Sequence, residues 1–198
     1  STKTEKIMSI KQIIEKAEAG DKEFQSCLGT MYYKGEGVSI DYEKAFYWVK
    51  KAAAQEDMYA MYNLGYTYLR GEVISEDHEK AFYWFSKAAE KGHALAQNNL
   101  GVIYLRGIGV DIDYEEAFMW FLIASNSSLT CCSDDRKGLG NPNAQCNLGL
   151  MYIEGNGVPE SKWEAAHWIN LAHRQDSERA AEMLDEYELW DYIETYYI

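Results

Sequence analysis

Leu28-Gly29, Leu64-Gly65, Leu100-Gly101 and Leu148-Gly149 recur along the chain at spacings of 36, 36 and 48 residues. Other positions keep the same register: Tyr32/Tyr68/Tyr104/Tyr152, Gly35/Gly71/Gly107/Gly155, Ala45/Ala81/Ala117/Ala165, Trp48/Trp84/Trp120/Trp168 and Ala52/Ala88/Ala124/Ala172. A period of this length, with small and aromatic residues at fixed offsets, marks helical hairpins stacked in an array. Each unit can bury its apolar face only against the next, so the expectation is one elongated domain over residues 1–198 without a central core. Arrays of this kind usually bind other molecules and rarely catalyse.

Within the unit 57–92, Ala60, Leu64 and Tyr68 fall on one face of a first helix, A. Gly65 is a poor helix former, costing about 0.8–1 kcal/mol against Ala. Its recurrence in every unit predicts a neighbouring helix backbone too close for a side chain. Gly71 ends helix A in the left-handed conformation that glycine takes without penalty. A second helix, B, is predicted to start at caps Asp41, Asp77 and Asp113, and at Ser161 with Glu164 in capping-box spacing after Pro159. Residues 7–20 align with a lone B helix and residues 177–187 with a lone A helix. The boundaries read as an N-terminal cap over 1–20, units over 21–56, 57–92, 93–140 and 141–176, and a C-terminal cap with an aromatic, acidic tail over 177–198. Leu189, Trp190, Tyr192 and Ile193 in that tail either pack over the last helix or dock elsewhere. Twelve extra residues enlarge the third unit. Its insert region, Ser125 to Asn143, predicts a longer B helix, an exposed loop, or both.

The consensus Ala-x-x-x-Leu-Gly-x-x-Tyr-x-x-Gly-x-Gly-Val-x-x-Asp-x-x-x-Ala-x-x-Trp-x-x-x-Ala resembles the Sel-one-like repeat (SLR), a relative of the tetratricopeptide repeat. Ala60, Leu64, Gly65, Tyr68, Gly71, Asp77, Ala81, Trp84 and Ala88 carry it in the second unit. The resemblance covers about residues 21–176. It implies an all-α, right-handed α-solenoid of antiparallel helix pairs, with A helices on the concave face and B helices on the convex one. It further implies an adaptor that assembles other proteins. Some cysteine-rich bacterial relatives carry a disulfide in each repeat. The four cysteines here, Cys27, Cys131, Cys132 and Cys146, do not follow the repeat.

Reactive chemistry finds little footing in the sequence. The Gly-x-Gly-Val loops at Gly35, Gly107 and Gly155 follow helices and lack a third glycine, so they read as helix stops rather than phosphate cradles. His78, His93, His167 and His173 have no metal-ligand spacing. Cys131, Cys132 and Cys146 lack a clear fourth ligand. Neither a nucleophile–base pair nor a cofactor motif is discernible, and the expectation is a non-enzyme without cofactor or metal.

The site expectation falls on the concave face. Tyr59, Tyr62, Asn63, Tyr66 and Arg70 point away from the core stripe in the second unit; Asn98, Asn99 and Arg106 do so in the third, and Asn147 in the fourth. Tyrosine and arginine anchor interfaces well because they join large area to polar tips. The tyrosine patch is not required by the repeat, since other units hold different residues there. Asn63, Asn99 and Asn147 share one register. In related arrays such asparagines hold a partner's backbone, but a purely structural hydrogen bond fits the repetition equally.

Charge adds a direction. Nineteen Lys and Arg against 32 Asp and Glu give a net charge of −13, which repels nucleic acid and anionic membranes and draws basic partners. The expectation is therefore a monomer holding a protein or peptide, basic where the field selects it, in its concave groove. A sharper alternative is a dedicated inhibitor, such as an immunity protein neutralising a basic bacterial toxin. A third is a hydrolase. No signal peptide precedes Ser1 and no apolar run is long enough to span a membrane. The expectation is a cytoplasmic chain, or a periplasmic or secreted one where a leader has been removed.

Overall fold

The computed structural model describes residues 8–72, 74–126 and 140–194. They form eleven helices: α1 (Ile10–Glu18), α2 (Lys22–Lys34), α3 (Tyr42–Ala54), α4 (Met58–Arg70), α5 (His78–Glu90), α6 (Ala94–Arg106), α7 (Tyr114–Asn126), α8 (Pro142–Glu154), α9 (Lys162–His173), α10 (Glu178–Glu186) and α11 (Trp190–Glu194). The fold is all-α, as the repeat predicts, and consecutive helices pack in pairs. The chain divides into two compact units, residues 1–88 and 89–198. In the first, α2 packs on α1 and α3, and α3 packs on α4. In the second, α6 to α10 pack each on the next, and α11 lies on α9.

Local chemistry sets the helix boundaries. Asp41, Asp77 and Asp113 accept the N3 backbone N–H of Lys44, Lys80 and Glu116 at 2.9–3.0 Å, and Ser161 accepts that of Glu164 at 3.2 Å. Each cap satisfies one of the four N–H groups a helix start leaves unpaired. The A helices have caps of their own, Asp21, Asp57, His93, Asn141 and Ser177. Gly35, Gly71, Gly107 and Gly155 end the A helices at φ between 65° and 75°. Without a Cβ they take this conformation at no steric penalty.

The glycine beside each leucine is demanded by a side chain rather than by a passing backbone, which corrects the expectation drawn from the repeat. A Cβ on Gly29 would lie 2.5 Å from Val49 Cγ2; on Gly65, 2.7 Å from the Phe85 ring; on Gly101, 2.5 Å from the Phe121 ring. On Gly149 it would strike Ile169. Backbone comes next, at 3.2 Å, beneath Gly29 and Gly149. Each A helix thus carries a notch that accepts one B-helix side chain. Phe85, Phe121 and Ile169 are fully buried there, and Val49 nearly so.

Buried glutamines join successive hairpins. Gln25 Nε2 donates to the Ala17 carbonyl at 3.0 Å, Gln97 Nε2 to that of Ala89 at 3.2 Å, and Gln145 Nε2 to that of Ser125 at 3.4 Å. These acceptors lie in the last turns of α1, α5 and α7, where the helix leaves carbonyls unpaired. Gln55 and Gln175 donate in turn to the side-chain oxygens of Gln25 and Gln145, both at 2.8 Å.

The insert leaves this register intact. Helix α7 has thirteen residues, as α3 and α5 do. The chain returns at Gly140, where a Cβ would overlap the Ser125 carbonyl, and Asn141 N–H donates to the Ala124 carbonyl at 3.1 Å. Cys131, Cys132 and the rest of 127–139 lie outside the described residues, as do Val73 and the tail residues 195–198. Of the tail, Leu189 is fully buried in a core with Ile169, Met183 and Leu184, and Ile193 packs against it. Trp190 stays exposed, its Nε1 donating to Asp185 and its ring set edge-on to His173.

Two stability predictions follow from this construction. Gly101→Ala gains about 0.8–1 kcal/mol of helix propensity but forces a methyl into the Phe121 ring, which costs about 1–3 kcal/mol. The net is a loss of up to about 2 kcal/mol, read from the urea midpoint. The Asp41 carboxyl is held below the usual range by the Lys44 backbone N–H and ammonium, and that of Asp77 by the Lys80 ammonium and backbone N–H. Since the folded pKa is depressed, the charged cap stabilises fully above the unfolded value of about 3.9 and loses its effect as pH falls through the folded one. Asp41→Asn and Asp77→Asn keep the acceptor without the charge. Their stability deficit against the parent chain should therefore shrink in denaturation curves taken below about pH 4.

Candidate functional site

The first unit holds a groove of about 260 Å³ whose walls are α2 and α4 and which α3 closes from behind. From α4 come Tyr62, Asn63, Tyr66 and Thr67; from α2, Gly29, Thr30, Tyr33 and Lys34; from α3, Tyr42, Ala45, Phe46 and Val49. The Thr30 and Thr67 hydroxyls donate to the carbonyls of Ser26 and Asn63 on their own helices, at 3.2 and 2.8 Å. They therefore show the groove mainly their methyl groups. Tyr62 and Tyr66 are half-buried and stack with centroids 6.3 Å apart, and Tyr33 meets Tyr42 at 5.5 Å. Such spacings are those of favourable ring pairs.

Charges at the rim are compensated. The Arg70 guanidinium lies 4.9 Å over the Tyr66 ring and donates to Glu72 at 2.8 Å. The Tyr33 hydroxyl donates to the same carboxylate at 3.3 Å. Burial and the Glu72 charge push the Tyr33 phenol up. Lys34 pairs with Glu36 at 3.5 Å.

Of the residues singled out from the sequence, Tyr62, Asn63 and Tyr66 line this groove and Arg70 stands at its rim. Tyr59 is exposed at the start of α4, outside the lining. The others belong to the second unit. Arg106 is exposed at the end of α6 and Asn99 is half-buried. Asn147 is buried, with Nδ2 donating to Asn98 Oδ1 at 3.1 Å and Oδ1 accepting from Arg179 at 2.8 Å. Its carboxamide thus ties α8 to α6 and α10. Asn63, at the same register, makes no side-chain hydrogen bond among the described residues. The sequence reading did not single out Tyr33, Tyr42, Phe46 and Val49. Counting back 36 residues from Tyr66 and Arg70 gives Thr30 and Lys34, which would have found the α2 wall.

The acidity is unevenly shared. Residues 1–88 hold 12 Lys and Arg against 14 Asp and Glu, net −2; residues 89–198 hold 7 against 18, net −11. The field that would draw a basic partner therefore originates in the second unit, not around the tyrosines. Among the described residues, no group of three or more His, Cys, Asp or Glu could hold a metal, and no helix is long and apolar enough to cross a membrane. Cys27 and Cys146 are free thiols, both pushed up chiefly by burial, so neither is an activated nucleophile.

The two asparagines should part on substitution. Asn147→Ala strands Arg179 and Asn98 and is expected to cost about 1–3 kcal/mol. Asn63→Ala should stay within about 0.5 kcal/mol of the parent chain. Paired urea titrations give both numbers.

A family model for the Sel1 repeat matches residues 26–57, 59–93, 94–129 and 142–177. Among solved structures, the chain is similar to a protective antigen of uropathogenic Escherichia coli strains displaying an SLR fold. Identity is 33% over 89% of this chain and 35% of that one, with a TM-score of 0.79. It is also similar to a Sel1 repeat protein from Oxalobacter formigenes, at 30% identity over 88% of this chain and 66% of that one, TM-score 0.77. The Helicobacter pylori cysteine rich protein B shares the fold at 24% identity over 76% of this chain and 99% of that one, TM-score 0.52. The chain thus spans about a third of the first of these proteins and just under two thirds of the second. None of the curated proteins matches it. Four family-model matches, in register with the notched hairpins, establish that this chain belongs to the Sel1 repeat family.

Proposed function

We propose that this chain is a non-enzymatic interaction module that holds a peptide segment of a partner protein in the first-unit groove. Sel1 repeat proteins are in general protein-interaction modules, and the groove is what this chain adds to that background. The observation that carries the reading is the tyrosine-lined trough between α2 and α4, with the Asn63 carboxamide beside Tyr62 and Tyr66. Half-buried rings offer large contact area at a small cost in lost rotamers. A carboxamide carries both a donor and an acceptor, which suits a peptide backbone. The lining contains no activated nucleophile, no metal cluster and no paired acid and base, so the chemistry it supports is recognition.

A displayed peptide library selected on the full chain tests this. Peptides retained by the parent chain should lose at least about tenfold in affinity, roughly 1.4 kcal/mol, against Tyr62→Ala/Tyr66→Ala, with circular dichroism confirming that the variant is folded. Unchanged affinity for the double variant would move the site out of the groove.

A further inference from the structure

The groove lies beside the smallest of the four side chains seated in the glycine notches. At the notch register, α5 and α7 supply Phe85 and Phe121, whose rings cover Gly65 and Gly101, and α9 supplies Ile169. In the first hairpin the register falls on Val49, which reaches Gly29 with a single methyl, Cγ2. Valine lacks the outer ring atoms that phenylalanine places at this contact, and the groove opens over it. The surroundings still suit a ring: Phe46, Tyr62 and Tyr66 are aromatic, and Tyr62 also meets the Phe85 ring at 5.8 Å. Charge complementarity points the same way. Both cations at the rim are paired, Lys34 with Glu36 and Arg70 with Glu72, so an uncharged group suits the groove better than an ammonium or a carboxylate.

We infer that Val49 makes the groove a pocket for one uncharged aromatic side chain of a bound partner peptide. The incoming ring takes the place of the ring that Phe85 and Phe121 provide internally in the second and third hairpins. This rests on the interaction reading above and adds its specificity. Val49 is the specificity-determining residue, and it acts through its small size.

The test uses the full chain, isotope-labelled, titrated with N-acetyl-phenylalaninamide, N-acetyl-leucinamide and N-acetyl-lysinamide while the amide resonances of Gly29, Ala45 and Asn63 are followed. The phenylalanine derivative should bind at millimolar concentration, at least fivefold better than the other two. Val49→Phe installs the ring native to this register, so it should keep the melting temperature and lose that binding by at least fivefold. Val49→Ala works in the opposite direction and should admit N-acetyl-tryptophanamide better than the parent chain does. Equal response to the leucine or lysine derivative, no response to any, or undiminished binding to a folded Val49→Phe each overturns the inference. A library peptide without an aromatic residue that needs Tyr62 and Tyr66 but ignores Val49→Phe would end the ring pocket and leave the groove reading standing. Peptides indifferent to Tyr62→Ala/Tyr66→Ala end the groove reading itself.

Discussion

The contact on which the rest of the molecule depends is the seating of one B-helix side chain in the glycine notch of its own A helix. Phe85 on Gly65, Phe121 on Gly101, Ile169 on Gly149 and Val49 on Gly29 are four versions of it. Burying one such side chain is worth roughly 1.5–3 kcal/mol, and the glycine that makes room gives back at most about 1 kcal/mol of helix propensity. Packing therefore outweighs local preference, and a weak helix former recurs in mid-helix in every hairpin. The same contact fixes the distance and rotation of B on A. The cap residues and the left-handed glycines must then fall where they do.

A stack of hairpins also needs its polar accounts settled where one hairpin meets the next. The last carbonyls of a B helix have no partner inside the helix, and the following A helix covers them. The N–H groups of Gly20 and Gly92 already reach the carbonyls of Ala17 and Ala89 at 3.1 and 2.9 Å; buried Gln25 and Gln97 add a second donor to each, and buried Gln145 donates to Ser125. Met61 stands at the same register in the second repeat and is buried with no side-chain donor to offer, so the clamp serves some junctions and apolar contact serves another. Beyond the insert, Gly140 lies against Ser125, and Gln145 reaches the Ser125 carbonyl at 3.4 Å.

The helices, their caps and their order could be read from the sequence because the repeat states them four times over. Asp41, Asp77 and Asp113 announce helix starts by type and position, and Gly71 announces a stop. What the repeat obscured was the meaning of departures from it. Val49 fits the apolar stripe of its helix, and only comparison with Phe85, Phe121 and Ile169 at the same register shows that it is the smallest of the four. Tyr33 and Tyr42 belong to the first repeat, at positions where the second holds Leu69 and His78, so the pattern of the second repeat does not point to them. Asn63 and Asn147 look equivalent in sequence and are not: one carboxamide is committed to Asn98 and Arg179, the other is left to the groove. Hydrogen-bond commitment depends on neighbours from other helices, which a single register does not contain.

Charge and groove turn out to be separate resources. A sequence-wide charge of −13 suggests one acidic binding surface, but a net −11 belongs to residues 89–198 and only −2 to residues 1–88. Long-range fields mostly raise encounter rates and fade with salt, over about 8 Å at physiological ionic strength. Close-range selectivity instead comes from shape and from which polar groups remain unpaired once contact is made. In the first unit the rim charges neutralise one another and the lining is aromatic, so discrimination there rests on fit. On the proposed reading, the acidic second unit would raise the encounter rate with cationic molecules, whereas the groove would select by shape. The two tasks can therefore change independently within one repeat architecture, the first by surface substitutions along α7 to α10, the second by a single residue on α3.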